Sequence, residues 1–183
     1  MRIRAFIAFE IESLALNELL NIRNDLFSVS DNKFEPNDKL HITLKFIGDI
    51  EEKDIPKLEV GLKNIANNNS SFNLSFSKFG IFKRQRIPVV LWAGINLNSE
   101  LQKLYSEIEN ILIEFGFEKE RKYYKPHLTL MRLKKNNIIQ KFGPFLEKDL
   151  SNIKFNVNEF TLFKSELKKS GSVYSIIRKF NLK

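Results

Sequence analysis

The sequence predicts an α+β protein: two antiparallel sheets related by a pseudo-twofold, flanked by helices, with a central groove. Three observations carry this reading. Apolar strands alternate with amphipathic helices along the chain. A strand–helix–strand unit recurs at a constant offset of 86 positions. No linker rich in Pro, Gly or Ser separates the two copies, so 1–183 reads as one bilobal domain.

The elements follow in order. Ile3 to Ile11 is almost wholly apolar and reads as a buried strand. Glu12-Ser13 opens a helix carrying Leu14, Leu16, Leu19, Leu20, Arg23, Leu26 and Phe27 near helical spacing. Phe34 to Asn37 is a loop, and Leu40 to Ile47 alternates as a strand. Glu51 to Ala66 is a second helix, followed by a polar loop over Asn67 to Ser71. Phe72 to Phe82 and Val89 to Leu97 are strands joined by a basic turn from Lys83 to Pro88. Ser99 to Phe115 is a helix with Leu101, Leu104, Ile108, Leu112 and Phe115 on one side, and Gly116 suits its C-terminal cap. Leu128 to Leu133 is a strand, and Ile138 to Asp149 a weaker helix or loop. Ile153 to Phe163 and Val173 to Phe180 are the last strands, joined around Gly171.

The offset of 86 carries Phe6, Ile7, Ala8 and Phe9 onto Trp92, Ala93, Gly94 and Ile95. It carries Leu40-His41-Ile42-Thr43-Leu44 onto Pro126-His127-Leu128-Thr129-Leu130. The chain has only two histidines, and both stand two residues before a threonine inside an apolar strand. On a strand, residues i and i+2 share a face, about 7 Å apart. Each motif therefore presents an imidazole and a hydroxyl to one surface, while Ile42, Leu44, Leu128 and Leu130 face the core. Two imidazoles permit paired proton transfer near neutral pH. Two hydroxyls can donate to the oxygens of an anion held between them. That set suits in-line cleavage of a phosphodiester without metal. A metal site held by both histidines is the competing reading, but neither motif supplies an adjacent third ligand.

Composition narrows the setting. The absence of Cys excludes disulfides, thiolate nucleophiles and Cys-ligated metals, and suits a reducing cytoplasm. No apolar run is long enough to span a membrane, and the N-terminal apolar stretch is too short for a signal peptide. Lys and Arg number 30 against 22 Asp and Glu, which favours a polyanionic partner such as RNA, DNA or acidic lipid, with solubility alone as the other reading. The basic residues cluster: Lys119, Arg121, Lys122 and Lys125 precede His127, Arg132, Lys134 and Lys135 follow it, and Lys83, Arg84 and Arg86 share a turn. Tyr123, Tyr124 and Trp92 lie among them as candidate base-stacking surfaces, with the core as the other reading for Trp92.

The paired His-x-Thr motifs resemble those of the two-histidine (2H) phosphoesterases. Leu40-His41-Ile42-Thr43-Leu44-Lys45-Phe46-Ile47-Gly48, Pro88-Val89-Val90-Leu91-Trp92-Ala93-Gly94 and Pro126-His127-Leu128-Thr129-Leu130-Met131-Arg132 resemble, more narrowly, the RNA 2',3'-cyclic phosphodiesterase (2'-5' RNA ligase-like) family. Phe163-Lys164-Ser165-Glu166-Leu167, Gly171 and Tyr174 resemble its closing hairpin. The resemblance implies hydrolysis of an RNA terminal 2',3'-cyclic phosphate to a 2'-phosphate, with no cofactor and no metal. It implies His41 as proton donor to the departing 3'-oxygen and His127 as proton acceptor from water. Thr43, Thr129 and Arg132 would hold the phosphate. Strand parity turns Arg132 away from His127, so its role requires a bulge or a strand end after Thr129. Lys45 shares parity with His41 and is expected beside the phosphate. The expected partner is RNA bearing the cyclic phosphate, met by a monomer away from membranes. Two alternatives stand: a 2H esterase acting on another small cyclic phosphate, and a non-catalytic RNA-binding module.

Overall fold

A computed structural model describes residues 1–27, 34–85, 87–133, 143–169 and 171–183. Its strands are β1 (Arg2–Phe9), β2 (Ile42–Glu51), β3 (Phe72–Arg84), β4 (Ile87–Ile95), β5 (His127–Arg132), β6 (Lys154–Val157), β7 (Glu159–Lys168) and β8 (Gly171–Asn181). The helices are α1 (Ser13–Phe27), α2 (Ile55–Asn67), α3 (Ser99–Ile113) and the single turn α4 (Gly143–Leu146). The strands form one eight-stranded sheet in the order β6-β3-β4-β5-β2-β1-β7-β8. Each strand pair in it is antiparallel.

The α+β class is as expected, but the two expected sheets are joined into one. Their halves meet where β2 and β5 pair through Ile42 and Leu128. Both residues are fully buried, so this pairing satisfies backbone groups that an open edge would leave without partners. The strand expected from Ile153 to Phe163 also differs, because it is two strands, β6 and β7, separated by Asn158 alone. These two strands stand six places apart in the sheet. Laid flat, that is about 29 Å at the usual strand spacing, far beyond the reach of one residue. The sheet therefore curls until its two ends approach. Leu182 N–H donating to the Asn158 carbonyl at 2.8 Å and Ser71 N–H donating to the Lys183 carbonyl at 2.6 Å tie the ends together.

Sequence period decides which face each side chain takes. Ala5, Ile7 and Phe9 of β1, Ile42 and Leu44 of β2, and Leu128 and Leu130 of β5 are buried in the main core. Leu19 of α1, Leu58 and Leu62 of α2, and Leu104 and Ile108 of α3 belong to the same core. Phe6 and Ala8, from the other face of β1, form a second small cluster with Phe163 and Tyr174. The Asn98 side chain accepts the Leu101 N–H at 2.9 Å and so starts α3. Gly116, at φ +81°, lets Phe117 N–H reach back to the Leu112 carbonyl and end it. The boundaries of α1 and α3 keep the offset of 86 at both ends.

The turn after β3 is tighter than the basic turn read from sequence, because β3 runs on through Arg84 and β4 begins at Ile87. Arg86, Lys134, Lys135 and the first part of the Ile138–Asp149 segment lie outside the described residues. Of that last segment, α4 is helical and Asp149 bridges to Lys78. No described helix is long and apolar enough to cross a membrane.

Candidate active site

His41 stands just ahead of β2 and His127 begins β5, so the central junction of the sheet brings the two motifs together. Both histidines and both threonines, Thr43 and Thr129, line one cavity of about 170 Å³. Arg132 lines it too, with Phe6, Glu35, Lys39, Phe46 and Tyr174. A larger groove of about 510 Å³ between α2 and β8 contains neither histidine.

The two imidazoles are held alike. Nδ1 of His41 lies 2.8 Å from the Lys39 carbonyl, and Nδ1 of His127 lies 2.8 Å from the Lys125 carbonyl. A carbonyl only accepts, so each Nδ1 carries the proton and each Nε2 is left to serve the cavity. Aromatic rings fix the imidazole planes. His41 packs on Phe6 at 4.9 Å and meets Tyr174 edge-on at 5.3 Å. His127 meets Phe82 edge-on at 4.8 Å and Trp92 at 6.2 Å.

Burial is the main influence on both groups and pushes both imidazoles below their ordinary range. Their neighbours differ in sign. After the Lys39 hydrogen bond, the carboxylates of Glu10 and Glu35 favour the proton on His41. The Lys125 ammonium opposes a proton on His127, against the support of its hydrogen bond to the Lys125 carbonyl. The nearby fixed charges are thus carboxylates at His41 and an ammonium at His127, while a charge on His127 itself opposes a proton on His41.

One irregularity, repeated, decides which other side chains enter the cavity. Against β1, Ile7 pairs with Lys45 and Ala8 with Thr43, so Leu44 is an extra residue. Against β4, Leu91 pairs with Met131 and Trp92 with Thr129, so Leu130 is an extra residue. Each bulge follows the threonine of its motif and reverses the alternation beyond it. Arg132 is thereby turned into the cavity, as its expected role required. The same reversal corrects the expectation for Lys45, which leaves the cavity face. Its ammonium lies 2.6 Å from Glu109 Oε1 of α3 and is nearly buried there. Phe46 takes the cavity position instead, and it stands one repeat before Arg132.

The Lys45–Glu109 pair belongs to a brace between the motifs. Glu109 Oε2 accepts the Glu120 N–H at 2.8 Å. The Tyr124 hydroxyl donates to the Thr43 carbonyl at 3.1 Å, and the Tyr124 ring stacks on Tyr105 at 4.1 Å. The segment leading to His127 is thus fastened to the strand that carries Thr43. Tyr124 is accordingly a structural residue, whereas Tyr123 is fully exposed. Trp92 is buried, as the alternative reading had it. It lies across Gly80, where a Cβ would come within 2.1 Å of the ring, and it carries the Lys125 ammonium 4.4 Å from its centroid.

Glu35, Lys39, Phe6 and Phe46 were not legible as cavity residues. Glu35 is placed by backbone pairing of its own segment: Phe34 bridges Met131, and Glu35 N–H donates to the Leu130 carbonyl at 2.9 Å. The Arg23 guanidinium covers the Phe34 ring at 4.1 Å and helps seat it. Phe46 had one available signal, its position one repeat before Arg132.

The sequence model of the 2'-5' RNA ligase superfamily matches residues 20–169, and the chain belongs to this family. Its relatives narrow the assignment. A protein of Methanothermobacter thermautotrophicus named RNA 2',3'-cyclic phosphodiesterase is 28% identical over 186 positions, covering all of both chains. One of the same name from Thermotoga maritima is 32% identical, over 76% of this chain and 74% of that one. Among solved structures, E. coli LigT complexed with NADP+ superposes with a TM-score of 0.81 at 21% identity, covering 100% of this chain and 99% of that one. TT0787 of Thermus thermophilus superposes with a TM-score of 0.79 at 26% identity, over 98% and 97% of the chains.

Proposed function

We propose that the chain hydrolyses the 2',3'-cyclic phosphate at an RNA end to a 2'-phosphomonoester, by general acid–base catalysis without metal. The observation that carries this reading is the placement of two imidazoles of fixed tautomer and two threonine hydroxyls around one cavity. The names of the relatives supply the substrate class.

In this mechanism the cyclic phosphate sits between the threonines, with its oxygens accepting from Thr43, Thr129 and Arg132. His127 Nε2 takes a proton from water as the water oxygen bonds to phosphorus. His41 Nε2 gives its proton to the 3'-oxygen as the P–O3' bond breaks. The proton count balances, and each imidazole ends in the state the other began in. The neighbouring charges support this order, because carboxylates flank the donor and an ammonium flanks the acceptor. The reading includes a cytoplasmic monomer acting on RNA ends.

The test is hydrolysis of a cyclic-phosphate oligonucleotide in EDTA, beside a mononucleotide 2',3'-cyclic phosphate and ADP-ribose 1'',2''-cyclic phosphate. Full activity in EDTA with preference for the oligonucleotide is expected. Loss of activity on chelation, restored by a divalent ion, contradicts the acid–base assignment. Preference for either small substrate makes the chain an esterase of small cyclic phosphates. Binding without turnover makes it an RNA-binding module.

The pH profile follows from the same geometry. Activity requires His127 neutral and His41 protonated. As pH falls, His127 gains a proton and activity is lost; as pH rises, His41 loses its proton and activity is lost. Because burial lowers both, kcat/KM is expected to form a bell whose maximum lies below about pH 6.5, the ordinary imidazole value. Its two apparent pKa values belong to the pair. Lys125→Gln should move the acid limb to higher pH, since His127 then holds its proton more readily. A maximum above pH 7 contradicts this account of the cavity.

A further inference from the structure

Among the described residues lining the cavity, Glu35 is the one carboxylate. A negative group in a cavity built for a phosphate anion calls for a reason. Glu35 is not a stray surface side chain, since only about a fifth of it is exposed. Its backbone is paired to β5 at the Leu130 bulge, and its Oε1 accepts from Arg132 Nε at 2.9 Å. The other charged or titratable groups lining the cavity are Lys39, His41, His127, Arg132 and Tyr174, and Glu10 acts on His41 from just past β1.

With both imidazoles neutral, Lys39 and Arg132 against Glu35 leave the cavity a single positive charge, and the protonated His41 of the competent state adds a second. A cyclic phosphodiester carries one negative charge at any pH of interest. The phosphomonoester made from it has a second ionisation near pH 6 and approaches two negative charges above neutrality. Glu35 thus cancels one of the positive charges that a dianionic product would otherwise meet.

We infer that Glu35 is a specificity-determining residue, which holds down the affinity of Arg132 and the cavity for dianionic phosphomonoesters and so favours the monoanionic cyclic diester and release of the product. This rests on the proposed hydrolysis for its meaning, but its physical content is a binding preference that can be read without turnover. Coulomb repulsion from Glu35 scales with ligand charge, so its removal should change the logarithm of affinity about twice as much for a dianion as for a monoanion. Glu35→Gln is a suitable variant because the amide oxygen can still accept from Arg132 Nε while the charge is gone.

The experiment is calorimetric binding of two dinucleotides to the full chain and to Glu35→Gln. One ends in a 2'-phosphate and the other in the methyl ester of that phosphate, which stays monoanionic. At pH 7.5 the substitution is expected to tighten the 2'-phosphate ligand about tenfold and the methyl ester only about threefold, by that charge scaling. At pH 5, where the monoester is mostly a monoanion, the two ligands should respond alike. Glu35→Asp, which keeps the charge, should resemble the parent chain. Equal tightening of both ligands at pH 7.5, no tightening, weaker binding, or no measurable binding by the Gln variant would each overturn the inference. Failure of the parent chain to hydrolyse a cyclic phosphate would instead overturn the proposed reaction, and the binding comparison would still decide the role of Glu35.

Discussion

His127→Ala and His41→Ala are each expected to lower turnover of a cyclic-phosphate dinucleotide by about 10²–10⁴-fold, the usual scale for loss of a general base or acid. Each histidine reaches the cavity through Nε2, because a carbonyl two residues earlier holds its Nδ1 proton. No other imidazole exists in the chain to substitute for either. The double variant should lose far less than the product of the single losses, since the two act on one transition state. The pair is distinguished by leaving group. A substrate whose departing oxygen is a better leaving group needs no proton from His41, so it should rescue His41→Ala and not His127→Ala. Equal rescue of both variants contradicts the division of roles.

Lys45→Met is expected to lower folding stability by about 3–5 kcal/mol, the scale for stripping a buried charge of its partner. Glu109 is almost completely buried, and Lys45 is the cation beside it. Without that ammonium the carboxylate remains in the interior with no cation beside it, although the Glu120 N–H still donates to it. Adding Glu109→Gln should restore most of the loss. The amide oxygen can still accept from Glu120, and no uncompensated charge remains. Urea unfolding of the two variants beside the parent chain measures this. An unchanged midpoint for Lys45→Met, with a raised KM, would instead mean that Lys45 touches the substrate.

These two residues mark the limits of what the sequence disclosed. The histidines and threonines were legible because a repeat of 86 positions showed the same pattern twice, and strand alternation put each pair on one face. Lys45 and Arg132 were not settled by alternation, because each lies beyond a bulge. A bulge comes from local pairing against a neighbouring strand, here β1 or β4, and leaves no fixed residue pattern behind it. The break at Asn158 was hidden for a related reason. Phe155, Val157, Phe160 and Leu162 are all buried, so the apolar run continues although the chain passes from one end of the sheet to near the other. Glu35 gave no signal at all. Its place in the cavity depends on a backbone hydrogen bond to a strand nearly a hundred residues away.

The most direct measurement of the central claim is the position and isotope content of the product. An RNA dinucleotide ending in a 2',3'-cyclic phosphate is hydrolysed in ¹⁸O-water with excess EDTA, and the product is read by phosphorus NMR and mass spectrometry. The account predicts a 2'-phosphomonoester carrying one ¹⁸O on phosphorus, because water activated by His127 attacks opposite the 3'-oxygen that His41 protonates. A 3'-phosphomonoester, or no product until a divalent ion is returned, would contradict it.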